Sequence, residues 1–446
     1  MDRALLGYQR KNRAAPVTVA YLLTAHGSCD LEAARAAVLD RVRRFPDLTR
    51  RLTTAAANRP GRPSRPSRPN RDYQAGRAGQ LVWAPGPGFD VSIHVREHAL
   101  PTGAGDRELR AFVERRCQAA ISLDAPPWEI CLLSAPGSDR FHILFRASHV
   151  WLDGAALHRV LGMLFGDELP GEAQIRRGRD EQVTPGALVA AFGRIVGWVP
   201  SAGGLAALTR PWSGRSQLYW ATTGAQRVRA LARAYDATVN DVFLVALAGA
   251  LDTWSSPVNA RRPVRALMPV SVRREAERGE LSNHVVGARI SLPRDPVAPW
   301  RAFDTVRSQT SRYRGGANIA AGERWWFERI PASFGPAAVA LGMDSRRVPV
   351  TTSNVGVLPG PMSVAGHPIT AGLPVGVLLP GQRLFVMLGV FGPTASLSVT
   401  ADGNVPDGGL LAGLWLAELD RLERAANLTT VPTQVPATVI PVTTPT

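Results

Sequence analysis

One junction constrains this chain more than any other. The strand-like run Phe141-His142-Ile143-Leu144-Phe145-Arg146-Ala147 ends in Ser148-His149-Val150-Trp151-Leu152-Asp153-Gly154. A helix-like run follows, from Ala155 to Phe165. A histidine closing a strand, with Asp-Gly opening the next helix, sets an imidazole at the rim of a sheet. There a general base can meet a substrate, because imidazole exchanges protons near neutral pH. The competing reading is a histidine satisfied within its own loop.

The rest of the chain must supply a scaffold for that junction. Its 446 residues exceed one ordinary core and predict two lobes. The formal charge of +16 fits nucleic acid, CoA phosphates, an acidic carrier protein or an anionic membrane. Yet Lys11 is the only lysine among 52 basic residues, a bias that reads as genome composition as much as function. No aromatic-basic pattern or finger motif accompanies the charge, so nucleic acid is not expected as a partner. Cys29, Cys117 and Cys131 are odd in number and far apart, which predicts neither a disulfide framework nor a metal site. A reducing cytosol is the expected compartment. The opening residues lack the apolar stretch of a signal peptide. No uninterrupted apolar run reaches about 18 residues, so no membrane span is expected.

In chain order, Val17 to Leu23 reads as a strand, and Asp30 caps a helix from Leu31 to about Phe45. Its apolar positions recur at three or four residues, and Pro46 ends it. Residues 58–71 alternate Arg, Pro and Ser with no apolar side chain, which predicts a disordered cationic insert. Phe89 to Val95 alternates like a strand, and Asp106 to Ala120 reads as a helix. Pro126-Pro127 stiffens the entry to Trp128-Glu129, a segment read as structural, with Trp128 in the core.

A first lobe over 1–170 and a Gly/Pro/charge-rich crossover over 171–186 are followed by a second lobe over 187–426. Its opening helix, Ala187 to Pro200, is apolar enough for a core, a lid or an interfacial role. Asn240 or Asp241 caps a very apolar helix, and Arg265 to Arg273 is a strand ending in arginine. Strands over 384–390 and 395–401, a turn at Asp402-Gly403-Asn404 and a helix over about 408–426 close the lobe. The Thr/Pro/Val tail, 427–446, is expected to be disordered.

Several of these stretches carry a resemblance in the same order. Ser148 to Gly154 resembles the HHxxxDG motif of the CoA-dependent acyltransferase superfamily, with Ser148 in place of the first histidine. Trp128-Glu129 resembles a family segment leading into the strand before that motif. Thr238-Val239-Asn240-Asp241-Val242, then Arg273, then Ser282-Asn283-His284-Val285-Val286-Gly287 resemble the wax ester synthase/diacylglycerol acyltransferase branch. So does Ser353-Asn354 before Pro359-Gly360-Pro361. The late Asp-Phe-Gly-Trp-Gly motif of condensation domains proper is absent.

The resemblance implies an α/β (α+β) fold of two chloramphenicol-acetyltransferase-like lobes. Each is a mixed sheet flanked by helices, with an active-site tunnel between them. It implies an O-acyltransferase, N-acyl transfer not excluded, that moves an acyl group from acyl-CoA or an acyl carrier protein to an alcohol or amine acceptor. His149 would be the general base, attack on the thioester would be direct, and no cofactor would be needed. Asp153 would be structural and pair with Arg273, Arg274 being the competing partner. Gly154 and Ser148 would shape the site. Trp151, Asn240, Asn283, Ser353 and Asn354 are candidate contacts to substrate. The alternatives are a stand-alone condensation enzyme using a carrier-protein donor, or a non-catalytic lipid- or carrier-binding protein. The expected location is cytoplasmic, with a peripheral membrane contact left open.

The remaining candidates read as bland. Ser148 and His149 are strand neighbours pointing to opposite faces, and no Gly-x-Ser-x-Gly elbow surrounds the serine, which argues against a nucleophile-base pair. His94 and His98 have helical ligand spacing on an expected strand, and no carboxylate or cysteine cluster supports a metal.

Overall fold

The structure is a computed structural model. It describes residues 2–12, 16–28, 30–54, 81–86, 88–168, 183–198, 200–258, 262–274, 277, 279–294, 298–313, 322–326, 329, 333–428 and 438–439. The first half runs α1 (Asp2–Lys11), β1 (Thr18–His26), α2 (Leu31–Arg44), β2 (Arg50–Thr54), β3 (Leu81–Pro85), the single turn α3 (Val91–His94), β4 (Val95–Ala99), α4 (Asp106–Cys117), β5 (Trp128–Ser134), β6 (Arg140–Ser148) and α5 (Gly154–Phe165). The second half runs α6 (Pro185–Val196), β7 (Ser216–Gly224), α7 (Ala225–Ala234), α8 (Val239–Trp254), β8 (Arg265–Ser271), β9 (Val285–Ser291), α9 (Pro299–Thr310), α10 (Gly335–Met343), β10 (Val350–Val357), β11 (Ser363–Val364), β12 (His367–Val375), β13 (Leu384–Phe391), β14 (Thr394–Asp402), α11 (Leu410–Ala425) and β15 (Thr438–Val439).

Two mixed sheets organise these elements. The first has the order β11-β12-β1-β6-β5-β4, and the second β15-β7-β14-β13-β10-β8-β9. In the first, only β4 and β5 are parallel; in the second, β10 runs parallel to both β13 and β8. β1 lies inside the first sheet, between β12 and β6. Its alternate side chains enter two different cores: Tyr21, Leu23 and Ala25 in one, Ala20 and Leu22 in the other. Burial on both faces explains why its sequence is continuously apolar. β12 comes from beyond residue 187 yet pairs antiparallel with β1, Leu373 facing Leu22. The later half thus completes the first sheet, a crossing that a division at 171–186 does not anticipate.

Several boundaries differ from the sequence expectation. The expected strand over Phe89–Val95 is instead the helical turn α3 followed by β4. Asp90 accepts from the Ser92 N–H at 2.8 Å, and that local bond competes with strand pairing. α8 is capped by neither Asn240 nor Asp241. The Thr238 hydroxyl accepts from the Asp241 N–H, and the Asp241 carboxylate reaches back to the Thr238 N–H. β8 ends at Ser271, so Arg273 lies just past the strand. α1 precedes all the expected elements. Its Leu5, Leu6 and Tyr8 pack with Val17 and Val150 on one side and Val339 and Leu379 on the other. Residues 58–71 and most of the crossover lie outside the described residues. So does most of the tail, except Asn427 and Leu428 after α11 and the pairing of Thr438-Val439 with β7.

Candidate active site

The site forms where β6 turns into α5. The Ser148 N–H donates to the Pro127 carbonyl at 2.9 Å, and the Ser148 carbonyl accepts from the N–H groups of Trp151 and Leu152. The Ser148 hydroxyl, itself buried, accepts from the Val150 N–H at 3.2 Å. This tight turn ends at Asp153, whose carboxylate caps α5 through the Ala156 N–H at 2.8 Å. Gly154 is the first residue of that helix, and a Cβ there would meet only Val355 of β10, at 3.7 Å. Between the serine and the aspartate stands His149, its N–H on the Val17 carbonyl and its ring half-buried.

The loop between β8 and β9 closes over this turn. Asn283 donates from Nδ2 to the carbonyls of His149 (2.8 Å) and Val150 (3.0 Å). Those two bonds orient the amide, so its Oδ1, 3.1 Å from His149 Nδ1, must accept. His149 therefore carries its proton on Nδ1 in the neutral ring, and Nε2 presents a lone pair. A second residue sets Asn283 itself: its N–H donates to Asp2 at the start of α1, at 3.2 Å. Burial pushes the Asp2 carboxyl up from its ordinary range, and the bonds from Asn283 work against that shift.

Asp153 and Arg273 form the clamp beneath. Arg273 Nη2 lies 3.1 and 2.9 Å from the two Asp153 oxygens, with both side chains almost wholly buried. The aspartate also accepts from the His284 N–H at 2.9 Å. Arg273 also donates from Nη1 to the carbonyls of Glu277 and Glu280 and from Nη2 to that of Ser282. One guanidinium thus shapes the whole 273–284 loop and ties it to the His149 turn. Arg274, the competing partner, instead donates its backbone N–H to Glu277. Burial alone would raise Glu277, but hydrogen bonds from Arg324 and from the Arg274 backbone overcome it and hold its carboxyl down at about 2.

The other candidates fall at varying distance from this centre. Trp151 is fully buried in the first core, tilted against Trp83. Asn240 lies in the first turn of α8 and donates to the Met268 sulfur at 3.4 Å. Ser353 and Asn354 lie on β10, where Asn354 Oδ1 accepts from the Gly356 N–H. Trp151 joins the His149 turn only through its backbone N–H, and among the described residues no hydrogen bond links Asn240, Ser353 or Asn354 to that turn. Among the described residues, no group of His, Cys, Asp or Glu has the arrangement of a metal site.

Two buried polar groups escaped the sequence reading. Asp2 reaches the site only because α1 folds back across both lobes, and nothing local signals that. His158, one helical turn and more beyond Gly154, packs edge-on against Tyr21 with ring centroids 5.7 Å apart. Burial lowers the His158 imidazole to about 4 and raises the Tyr21 phenol. Neither the His158 Nε2 nor the Tyr21 hydroxyl has a hydrogen-bond partner. Both are neutral members of the core near the site.

Two mixed sheets thus carry a loop histidine with one free lone pair beside a buried Asp-Arg clamp, the arrangement that the acyltransferase resemblance implies. Comparison with known proteins agrees. Residues 28–209 match the wax ester synthase/diacylglycerol acyltransferase catalytic domain. The Mycobacterium tuberculosis protein Rv2285, which carries the name of a diacylglycerol O-acyltransferase, is 26% identical over 334 residues, covering 67% of this chain and 74% of the relative. The wax ester synthase/diacylglycerol acyltransferase of Marinobacter aquaeolei VT8 superposes with a TM-score of 0.61 at 18% identity, covering 96% of this chain and 98% of its own. The starter condensation domain of rhizomide synthetase, solved with C8-CoA and Leu-SNAC, gives 0.60 at 13% identity over 97% and 96%. The chain is thus similar to the wax ester synthase/diacylglycerol acyltransferases over residues 28–209 in sequence and over nearly its whole length in fold.

Proposed function

We propose that the protein moves an acyl group from an acyl-CoA thioester to the hydroxyl of a lipid alcohol, with His149 as general base. The observation that carries this reading is the Asn283 amide, which pins the tautomer of His149 and turns its basic Nε2 toward chemistry. In this scheme Nε2 takes the proton of the acceptor hydroxyl as the oxygen attacks the thioester carbon. The new C–O bond forms, the C–S bond breaks, and the imidazolium returns its proton to the leaving thiolate. No covalent enzyme intermediate and no bound cofactor are required. Asp153 and Arg273 keep the turn in shape and touch no reacting atom. Substrates would meet in a tunnel between the lobes. The lipid acceptor follows from the names of the relatives, and the CoA donor from the ligand of the rhizomide domain. Cys117 and Cys131 are buried free thiols, which burial raises to about 12 and about 11 and which suit a reducing cytosol.

The test is thiol release from a panel of acyl-CoAs, with and without long-chain alcohols, diacylglycerol or amines, for the wild type and His149→Ala. We expect acceptor-dependent release with an alcohol, reduced by about a hundredfold or more in the variant. Equal release by both proteins would remove His149 from the reaction. Release only from acyl-carrier thioesters, or only with amines, would replace the donor or acceptor named above. No release from any donor would favour a binding protein on this fold.

A further inference from the structure

α6 is built the wrong way round for a helix in water. Its inward side carries small residues, with Ala187 and Ala191 buried. Its outward side carries large apolar ones: Val189 is 73% exposed, Phe192 51% and Val196 50%. Positions 189, 192 and 196 recur at three and four residues and so form one stripe, and Ala190 and Gly193 beside them add no charge. The charged residue of the helix, Arg194, is turned to Glu323. A surface helix ordinarily shows the opposite pattern, so this face has the character of a contact surface.

Two neighbouring features say what it meets. The first is aromatic. Trp326 packs against Phe192 with ring centroids 5.5 Å apart and donates its indole N–H to the Leu188 carbonyl. Trp325 lies beside it, under the exposed Arg329 guanidinium at 4.1 Å. Two half-exposed tryptophans, the N–H of Trp326 satisfied, suit a boundary between apolar and wet surroundings.

The second is cationic. Arg289 donates to the carbonyls of Gly197 and Pro200, at and just beyond the end of α6. Pro200, Arg262 and Arg265 line an open cleft of about 490 Å³ there. Arg265 faces Ser291 across the β8–β9 pair, and Arg289 faces Leu267, so the two arginines are diagonal neighbours on one sheet face. Each keeps a buried Nε without an acceptor. Among the described residues no carboxylate pairs with Arg262, Arg265 or Arg289.

We infer that the α6 stripe, together with the cleft lined by Arg262 and Arg265 and the neighbouring Arg289, is the face on which this protein docks to an anionic lipid bilayer. The apolar side chains enter the acyl boundary while the arginines take headgroup phosphates. The face is also wired to the active site. Arg324, in the helical segment 322–326 that carries both tryptophans, binds Glu277 through two nitrogens and the Val272 carbonyl through one. Glu277 in turn gives its carbonyl to Arg273. Docking there sets the loop that holds His149 close to the membrane that stores its acceptor, and this purpose rests on the lipid-acceptor reading above.

Co-sedimentation with vesicles tests it, using phosphatidylglycerol/phosphatidylcholine mixtures beside pure phosphatidylcholine. The full chain should bind the anionic vesicles, and added salt should weaken the binding. Phe192→Asp should lower affinity about tenfold or more on any vesicle. Arg262→Gln with Arg265→Gln should lower it on anionic vesicles alone and flatten the salt dependence. Both variants should keep the wild-type melting temperature and thiol release with a short, soluble acyl-CoA and alcohol. No vesicle binding by the wild type, or wild-type binding by Phe192→Asp, overturns the inference. So does a face that instead mediates self-association or captures an acyl carrier protein, seen as loss of either in Phe192→Asp without vesicle binding. If vesicles bind as expected while His149→Ala stays fully active, the docking face stands and the catalytic reading falls.

Discussion

Asp153 and Asn283 show how two polar residues do different work a few ångströms apart. Asn283 acts on protonation: its oxygen accepts from His149 Nδ1 because its nitrogen is committed to two carbonyls. Asp153 acts on shape: it caps α5, receives the His284 N–H and neutralises Arg273. Removing one partner of a buried pair leaves the other charge uncompensated, which costs about 3–5 kcal/mol. Asp153→Ala should therefore lower stability by about that amount in urea unfolding. Asp153→Asn keeps the cap and one acceptor and should cost less. Should Asp153→Ala melt like the wild type yet lose all activity, the aspartate would belong to the chemistry instead of the scaffold.

At the scale of elements, the loop from Arg273 to His284 does most to assemble the site, and only part of it was legible in sequence. The pairing of Arg273 with Asp153 was anticipated through resemblance, because an arginine after a strand and an acid after a histidine are discrete residues in a fixed order. Asn283 is a candidate substrate contact from sequence, and its bond to His149 is not legible there, since the amide's orientation depends on the carbonyls of His149 and Val150 in a turn more than a hundred residues away. Phe89, Val91, Ile93 and Val95 alternate as in a strand, whereas one carboxylate bond to Asp90 turns the backbone into α3. Glu277 belongs with the unforeseen set. Its partner Arg324 is 47 residues away, yet that pair holds its carboxyl near 2 against an ordinary 4.5. A depressed carboxyl contributes stability that is fully present above about 4.5 and is lost as pH falls through about 2. The wild type should thus lose loop stability across that window. Glu277→Gln should be less stable at neutral pH and should lack this component of the acid titration. Parallel acid-unfolding curves for the two proteins would show that Glu277 contributes nothing.

For the whole molecule, the decisive fact is that the first sheet does not belong to one half of the sequence: it takes β11 and β12 from the later half, which builds the second sheet alone. β1 needs β12 as a neighbour, and the core under it draws Leu358, Met362, Ile369 and Phe391 from the later half. The opposite core draws Leu218, Leu373 and Val375 from there as well. α1 then spans both lobes and delivers Asp2 to Asn283. Composition and length predict two lobes, but such crossings are invisible to them, because a strand's partner is set by long-range pairing and not by its own residues. The physical consequence is that the first lobe cannot complete its sheet without the second. A fragment of residues 1–170 would expose one edge of β1 and apolar surface on both faces of its sheet, and unpaired strand edges promote aggregation. Expressed alone, it should be insoluble or bind hydrophobic dyes without a cooperative melt. Co-expressed with residues 183–446, it should recover a soluble complex and acceptor-dependent thiol release. A fragment that melts cooperatively by itself would mean that the first sheet is complete without β12, and that the coupling between the halves resides in α1 and the 273–284 loop alone.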